Sequence, residues 1–296
     1  MAKQDDRIVL ITADLGYGVL EPFQKAFPDR FFNVGIAEQN AVGVAAGMAS
    51  QGKIPYVYSI IPFLTGRAYE QIRVDVAYAG LPVRLVGVGA GLTYGSAGPT
   101  HHAIEDIAIM RALPGMTIVC PGSWLETSEL IRESTSWPGP IYFRLGKDEG
   151  DDLFDDPVRI GCARRVKRGS SLSIITTSNM LRTGVEVARL FEQRYNNLTA
   201  SVTSLHTVKP LDIEFVDHEI DEMAHIVTIE EHSLIGGLGS AISERMNSLD
   251  NYGGTKILTI GLPDEWGHEI GSHDHLRRFY GLDSDSIYRK ILRWLR

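Results

Sequence analysis

The chain has 296 residues, 44% hydrophobic and 22% charged, which is enough for one large or two medium domains with real cores and unlike a disordered or fibrous protein. Its 29 Lys and Arg against 37 Asp and Glu leave a formal net charge of −8, which argues against nucleic acid or an anionic membrane as the main partner. The start, MAKQDDRIVL, lacks a signal-peptide core, and Glu38 and Gln39 interrupt the most apolar run, so no membrane span is expected and the cytoplasm is the default location.

In chain order, β-rich runs alternate with helical segments. RIVLITAD precedes a helix near Leu20 to Phe27; RFFNV precedes a helix from about Ala37; PYVYSI precedes one from about Thr65 to Ala79. LPVRLVGVG then leads into a Gly-rich loop and a helix near Ala103 to Arg111, followed by MTIVCP, a helix from Trp124 to Ser134, and PIYFRLG. Such βα repetition predicts an α/β fold with a mostly parallel sheet between two layers of helices. The stretch GKDEGDDLFDDPVRIGCARRVKRGS has neither period and reads as a solvated linker. A second α/β run begins at SLSIITTS and adds ASVTSLHTV, HIVTIEEH and KILTIGL, so the expected domains are 1–148 and a smaller 168–296, joined by 149–167. Cys120 and Cys162 form no CxxC and are expected to be reduced structural thiols.

One charge stands out. In FFNVGIAEQNAVGVAAGMASQGK, Glu38 shares a helical face with Val42, Ala45 and Ala49. It either sits in the first turn to meet the helix dipole or is held in an apolar site to exchange a proton with a bound group. In the loop GAGLTYGSAGPTHHAIED, after a strand end where open α/β sheets bind ligands, His101 and His102 can face a ligand oxygen or be solvated and capping. Arg144 ends a strand on the same rim and suits either an anion clamp or a rim salt bridge. Asp14 shares that topology or caps a turn. Phe63, Tyr69, Tyr78 and Tyr94 read as core aromatics, with one or two lining a planar slot. His206, His225 and His232 read as packing or surface residues, and no His, Cys, Asp or Glu spacing marks a metal site.

The order TADLGYG, FFNVGIAEQNAVGVAAGMA, PFLTGRAYEQIR, LPVRLVGVGAGLTYGSAGPTHHAIEDIAIMRALPGM, IYFRLG, VKPLD and TIEEHSLIGGLGSAI resembles the C-terminal half of transketolase, a pyrimidine-binding domain plus a C-terminal domain, from about residue 7 almost to the end. The resemblance implies a thiamine-diphosphate-dependent transfer of a two-carbon ketol unit from a ketose to an aldehyde. It casts Glu38 as the carboxylate on the aminopyrimidine, Phe63 as its aromatic neighbour, Asp14 as the acid near the cofactor, His101 as the group on substrate oxygens and Arg144 as the sugar-phosphate ligand. The family's diphosphate and Mg²⁺ motif, Gly-Asp-Gly followed by Asn, is missing, which implies a separate N-terminal transketolase subunit that binds Mg²⁺ and pairs with this chain as α2β2. Three positions depart from the pattern: Ala97 replaces an Asp, Gly89 a His, and Ile60 an aromatic of the pyrimidine pocket, so sugar selectivity is expected to differ. The rivals are an acyloin-forming or 2-oxo acid dehydrogenase beta subunit using pyruvate, and a non-catalytic assembly subunit.

Overall fold

The computed structural model describes residues 1–147, 157–194, 199–250 and 253–296, so part of the expected linker and its acidic block lie outside the described residues. The first sheet is built from β1 (Ile8–Thr12), β2 (Phe31–Asn33), β3 (Ile54–Ile60), β4 (Arg84–Val88), β5 (Thr117–Val119) and β6 (Ile141–Leu145), all parallel. The second holds β7 (Arg164–Lys167), β8 (Leu172–Thr176), β9 (Ala200–Ser204), β11 (His225–Ser233) and β12 (Lys256–Leu262). β10 (Thr207–Lys209) crosses back to the first sheet. The helices are α1 (Glu21–Ala26), α2 (Glu38–Ser50), α3 (Tyr69–Gln71), α4 (Asp106–Arg111), α5 (Trp124–Ser134), α6 (Leu181–Arg194), α7 (Ile213–Glu222), α8 (Leu238–Asn247), α9 (His273–Phe279) and α10 (Ser284–Trp294).

Strand alternation produces the layers. Ile11, Val57, Leu85 and Tyr142 point to one face of the first sheet, where they meet α2; Ile8, Ile54, Tyr56, Val86 and Phe143 point to the other, toward Leu130 of α5. The buried face of α2 is Ala41, Val42, Ala45, Ala46 and Ala49, and these small side chains let the helix lie close over the strands. The expected helix of residues 65 to 79 is instead a short α3 between wide π-type turns at Phe63–Arg67 and Ile72–Tyr78, a local widening that often accompanies functional sites.

The first sheet runs β10-β5-β6-β4-β3-β1-β2. From β1 the chain steps outward to β2, then returns to the other side of β1 as β3. This reversal opens a crevice at the carboxyl ends of β1 and β3, the place where doubly wound sheets hold ligands. Asp14 and Phe63 follow the two strands bordering that point, and Glu38 follows β2, the neighbour of β1.

Two boundaries differ from expectation. Residues 164–167, assigned to the linker, form β7 and pair antiparallel with β9. The run ASVTSLHTV is two strands: Leu205 N–H still donates to Thr176 O in the second sheet, but Cys120 N–H donates to His206 O, and β10 then pairs antiparallel with β5. Lys209 Nζ fixes this crossing by donating to Arg111 O at 2.8 Å and Leu113 O at 2.6 Å. Cys120 is buried and its thiol is pushed up to about 12 by burial, while Cys162 is exposed, so only the first is a packing thiol; both are free.

Candidate active site

Glu38 opens α2 and is 1% exposed. Its Oε1 accepts from Ser59 Oγ of β3 at 3.3 Å and its Oε2 from Arg67 Nη1 at 2.6 Å. Arg67 is half-exposed, and its guanidinium lies 4.7 Å from the Phe63 ring centroid, one wide turn earlier. Phe63 also meets His101 edge-on, ring centroids 5.0 Å apart, and His101 in turn lies 6.2 Å from Tyr94. Lys147 Nζ sits 4.2 Å from the Tyr94 centroid. A continuous path thus runs from a buried carboxylate across two aromatic rings and an imidazole to an exposed ammonium. Thr100 Oγ1 bonds His101 Nδ1 at 2.9 Å, which leaves Nε2 to face a ligand.

The loop bearing Tyr94 and His101 leaves β4 at Gly89, whose φ is +91°. A Cβ there would lie 2.1 Å from the Tyr94 ring, so the glycine at this departure from the family pattern is what lets the tyrosine fold back over the backbone. Ile60 ends β3 half-buried beside Val88, directly after Ser59, the residue of that strand that donates to Glu38. Ala97 is exposed in the turn before Gly98.

Asp14 sits on the adjoining rim with φ +57°. Asn33 Nδ2 and Tyr17 Oη donate to its Oδ1, and these bonds hold its carboxyl below the usual range. Asn33 Oδ1 also accepts from Gly35 N–H, so Asp14 braces the turn leading into Glu38. His102 is buried, and burial holds its imidazole below the ordinary value. Of the expected core aromatics, Tyr78 is 90% exposed.

Arg144 corrects the expectation of an anion clamp. It is fully buried, and its Nε donates to Asp106 Oδ2 at 2.8 Å, an oxygen that also accepts from Tyr142 Oη at 2.7 Å. Its Nη2 donates to Ala103 O and Glu231 O. Burial opposes the charge, but Asp106 holds the guanidinium's pKa above its ordinary value. Arg144 therefore joins the two domains, and the exposed cation on the same strand end is Lys147.

The C-terminal domain supplies a buried row at the end of β11. Glu231 accepts from four side or main chains and is held at about 2 despite burial, through Arg277 and His273. Glu230 is raised to about 7 by burial, although Leu238 N–H and Gly239 N–H at the start of α8 donate to it. His232 is lowered to about 4 by burial; its Nδ1 donates to Ser233 O, and its Nε2 accepts from Ala108 N–H across the domain interface. His206 is buried as well, and His225 packs edge-on against Trp294.

The transketolase pyrimidine-binding domain matches residues 1–151, and the transketolase C-terminal domain matches residues 161–287. The chain belongs to the transketolase family. It is 33% identical over 305 residues to an apulose-4-phosphate transketolase subunit of Phocaeicola vulgatus, spanning 100% of this chain and 94% of that one. It is 36% identical over 291 residues to a 6-deoxy-6-sulfo-D-fructose transketolase subunit of a Clostridium species, covering 97% and 88%. A solved split-gene transketolase, described as an inactive β4 tetramer, superposes with a TM-score of 0.87 at 33% identity over 99% of this chain and 93% of that one. The family depends on thiamine diphosphate, and the two α/β layers are those of its pyrimidine-binding and C-terminal domains.

Proposed function

We propose that this chain is the C-terminal subunit of a split transketolase, which with a separate N-terminal subunit transfers a two-carbon ketol unit from an anionic ketose to an aldehyde. The observation carrying this reading is the convergence of Glu38, Phe63 and His101 from three different strand ends at the switch point of the first sheet. An assembly subunit needs no such set. The transketolase reading is preferred to pyruvate chemistry because relatives matched over nearly their full length carry transketolase names.

The residues suit an aminopyrimidine. Glu38 offers a desolvated carboxylate whose partners are one hydroxyl and one half-exposed guanidinium, and Phe63 offers a partly open ring face beside it. Thiamine diphosphate supplies the electron sink that lets a carbon–carbon bond beside a carbonyl break and re-form. Glu38 holds or accepts a proton at a ring nitrogen, and the low-dielectric setting strengthens that sharing. Arg67 holds the Glu38 carboxylate in place through their 2.6 Å ion pair. His101, fixed by Thr100, presents Nε2 to a substrate oxygen. Asp14 supports the turn ahead of Glu38, and Ile60 shapes the pocket wall. Lys147, stacked on Tyr94, meets the substrate's phosphate or sulfonate.

The diphosphate and Mg²⁺ belong to the N-terminal subunit in an α2β2 assembly. In support, a solved chain of the same make-up is described as inactive in the β4 state. Tyr17, Val19 and Ile36, on the loops after β1 and β2, are 74%, 62% and 79% exposed, an apolar rim beside Glu38 that suits a partner surface. The test is ketol transfer by the reconstituted pair. Glu38→Gln should lower kcat by about 10²- to 10⁴-fold; near-normal turnover in that variant would overturn the assignment.

A further inference from the structure

Among the described residues, the C-terminal domain contributes no group to the path from Glu38 to Lys147, yet it reaches the backbone of the loop that carries half of it. That loop is pinched at its neck. Gly91 N–H donates to Ala103 O at 3.1 Å and Ala103 N–H donates to Gly91 O at 2.9 Å, so residues 92–102, with Tyr94 and His101 among them, form a closed lobe. Both sides of the neck are held from beneath. Arg144 Nη2 donates to Ala103 O at 2.9 Å and to Glu231 O at 3.0 Å. The Glu231 side chain accepts from Leu92 N–H at 2.7 Å, the first peptide inside the lobe.

Glu231 is fully buried on β11, and the rest of its coordination comes from its own domain: His273 Nε2 at 2.7 Å and Arg277 Nε at 2.5 Å from α9, and Asn179 Nδ2 at 3.2 Å ahead of α6. A guanidinium, an imidazole and an amide fix the carboxylate from its own domain, so Leu92 binds an acceptor that cannot shift without breaking three other bonds. The loop is shaped to it. Gly91 has φ +61°, and a Cβ there would lie 2.4 Å from Glu231 Oε1 and 2.7 Å from Glu231 O.

We propose that Glu231 is a positioning residue for the transfer reaction: through Leu92 it sets the orientation of the lobe that presents His101 and Tyr94, making the C-terminal domain part of the catalytic geometry and not only of assembly. This rests on the role proposed for His101. A displacement of the lobe by about 1 Å is enough to cost on the order of a hundredfold in rate, whereas Glu38 and Phe63 lie on other strand ends and keep their places.

The experiment compares wild type, Glu231→Gln and Gly91→Ala. Gln keeps one oxygen for Leu92 but turns an NH₂ toward Arg277. Ala at residue 91 acts from the loop side, pushing on the carboxylate while leaving its partners in α9 unchanged, and so remains informative if Glu231→Gln fails to fold. Hydrogen exchange of the segment 92–102 is read on this chain alone; kcat and the thiamine diphosphate dependence are read on the reconstituted pair. The expected result is exchange in 92–102 faster by about tenfold or more, kcat lower by about tenfold or more, and a half-saturating cofactor concentration within about twofold of wild type. A folded variant with unchanged exchange in 92–102, or with raised exchange and unchanged kcat, overturns the proposal. If the wild-type pair transfers no ketol unit, the functional reading fails, while the exchange result still decides whether Glu231 orders the lobe.

Discussion

Replacing Arg144 by Met separates the two roles open to that residue. A substrate clamp at the rim would lose affinity and little stability. The geometry demands the opposite, because Arg144 and Asp106 are both buried and hydrogen-bonded at 2.8 Å. Removing one partner of such a pair leaves an uncompensated charge and costs about 3–5 kcal/mol. Asp106 would keep the Tyr142 hydroxyl, which offsets part of this, while Ala103 O and Glu231 O lose donors. A net loss of about 3–4 kcal/mol is therefore expected. It is measured by urea unfolding followed through tryptophan fluorescence, at fixed protein concentration because assembly shifts the midpoint. Adding Asp106→Asn to Arg144→Met removes the stranded charge and should recover about half of the loss. An unfolding free energy within about 0.5 kcal/mol of wild type, with KM for a phosphorylated ketose raised about tenfold or more, would refute the reasoning and return Arg144 to the substrate.

Lys147→Ala should show the complementary pattern: stability unchanged, KM for a phosphorylated or sulfonated ketose raised about tenfold to a hundredfold, and kcat within about threefold, as steady-state kinetics on the reconstituted pair would read. The acid limb of the stability curve should carry the mark of β11. Glu231 has a folded pKa of about 2 against an ordinary 4.5, so its contribution is fully present above pH 4.5 and lost as pH falls toward 2, about 3 kcal/mol in all. His232, at about 4 against 6.5, likewise loses its contribution as pH falls from 6.5 through 4. Glu230, at about 7 against 4.5, runs the other way: its contribution is fully present below pH 4.5 and is lost as pH rises from 4.5 through 7. In unfolding measured from pH 7 to pH 2.5, the gap between wild type and Glu231→Gln should therefore narrow below pH 4.5; a gap that stays constant would contradict the ion-paired state of Glu231.

Much of the site was legible in the order of motifs. Glu38 stood out because a lone carboxylate began a helix of small apolar residues, and its buried face is the one the spacing predicted. His101 was one of two histidines in a loop beyond a strand end and Phe63 read as a core aromatic until the family resemblance set them at the cofactor, and the structure brings their ring centroids to 5.0 Å. Arg144 misled because nearness to a strand's end says nothing of which way its side chain faces. It shares a face with Tyr142, two residues earlier, and that face is buried. Lys147, past the strand, is exposed beside Tyr94. Arg67 stands four residues after Phe63, on the same face, and was readable in principle from that spacing. Glu231 was not, since its partners come from residues 92, 179, 273 and 277, and only the tertiary fold brings them together. Nor does ASVTSLHTV announce its split into two strands: no Gly or Pro interrupts it, and the turn toward β5 is imposed by the sheet it joins.

That crossing strand alters what counts as a separable piece of this protein. The first sheet is completed by residues nearly ninety positions downstream of β5, so a fragment stopped between the two domains would expose β5 as an open edge of unpaired N–H and C=O groups, ready to recruit a strand from a neighbour. In a split enzyme, a break between these two domains would sever one hydrogen-bonded sheet. The described strands of both sheets are all carried on this one polypeptide, so the two domains are made as a single hydrogen-bonded unit.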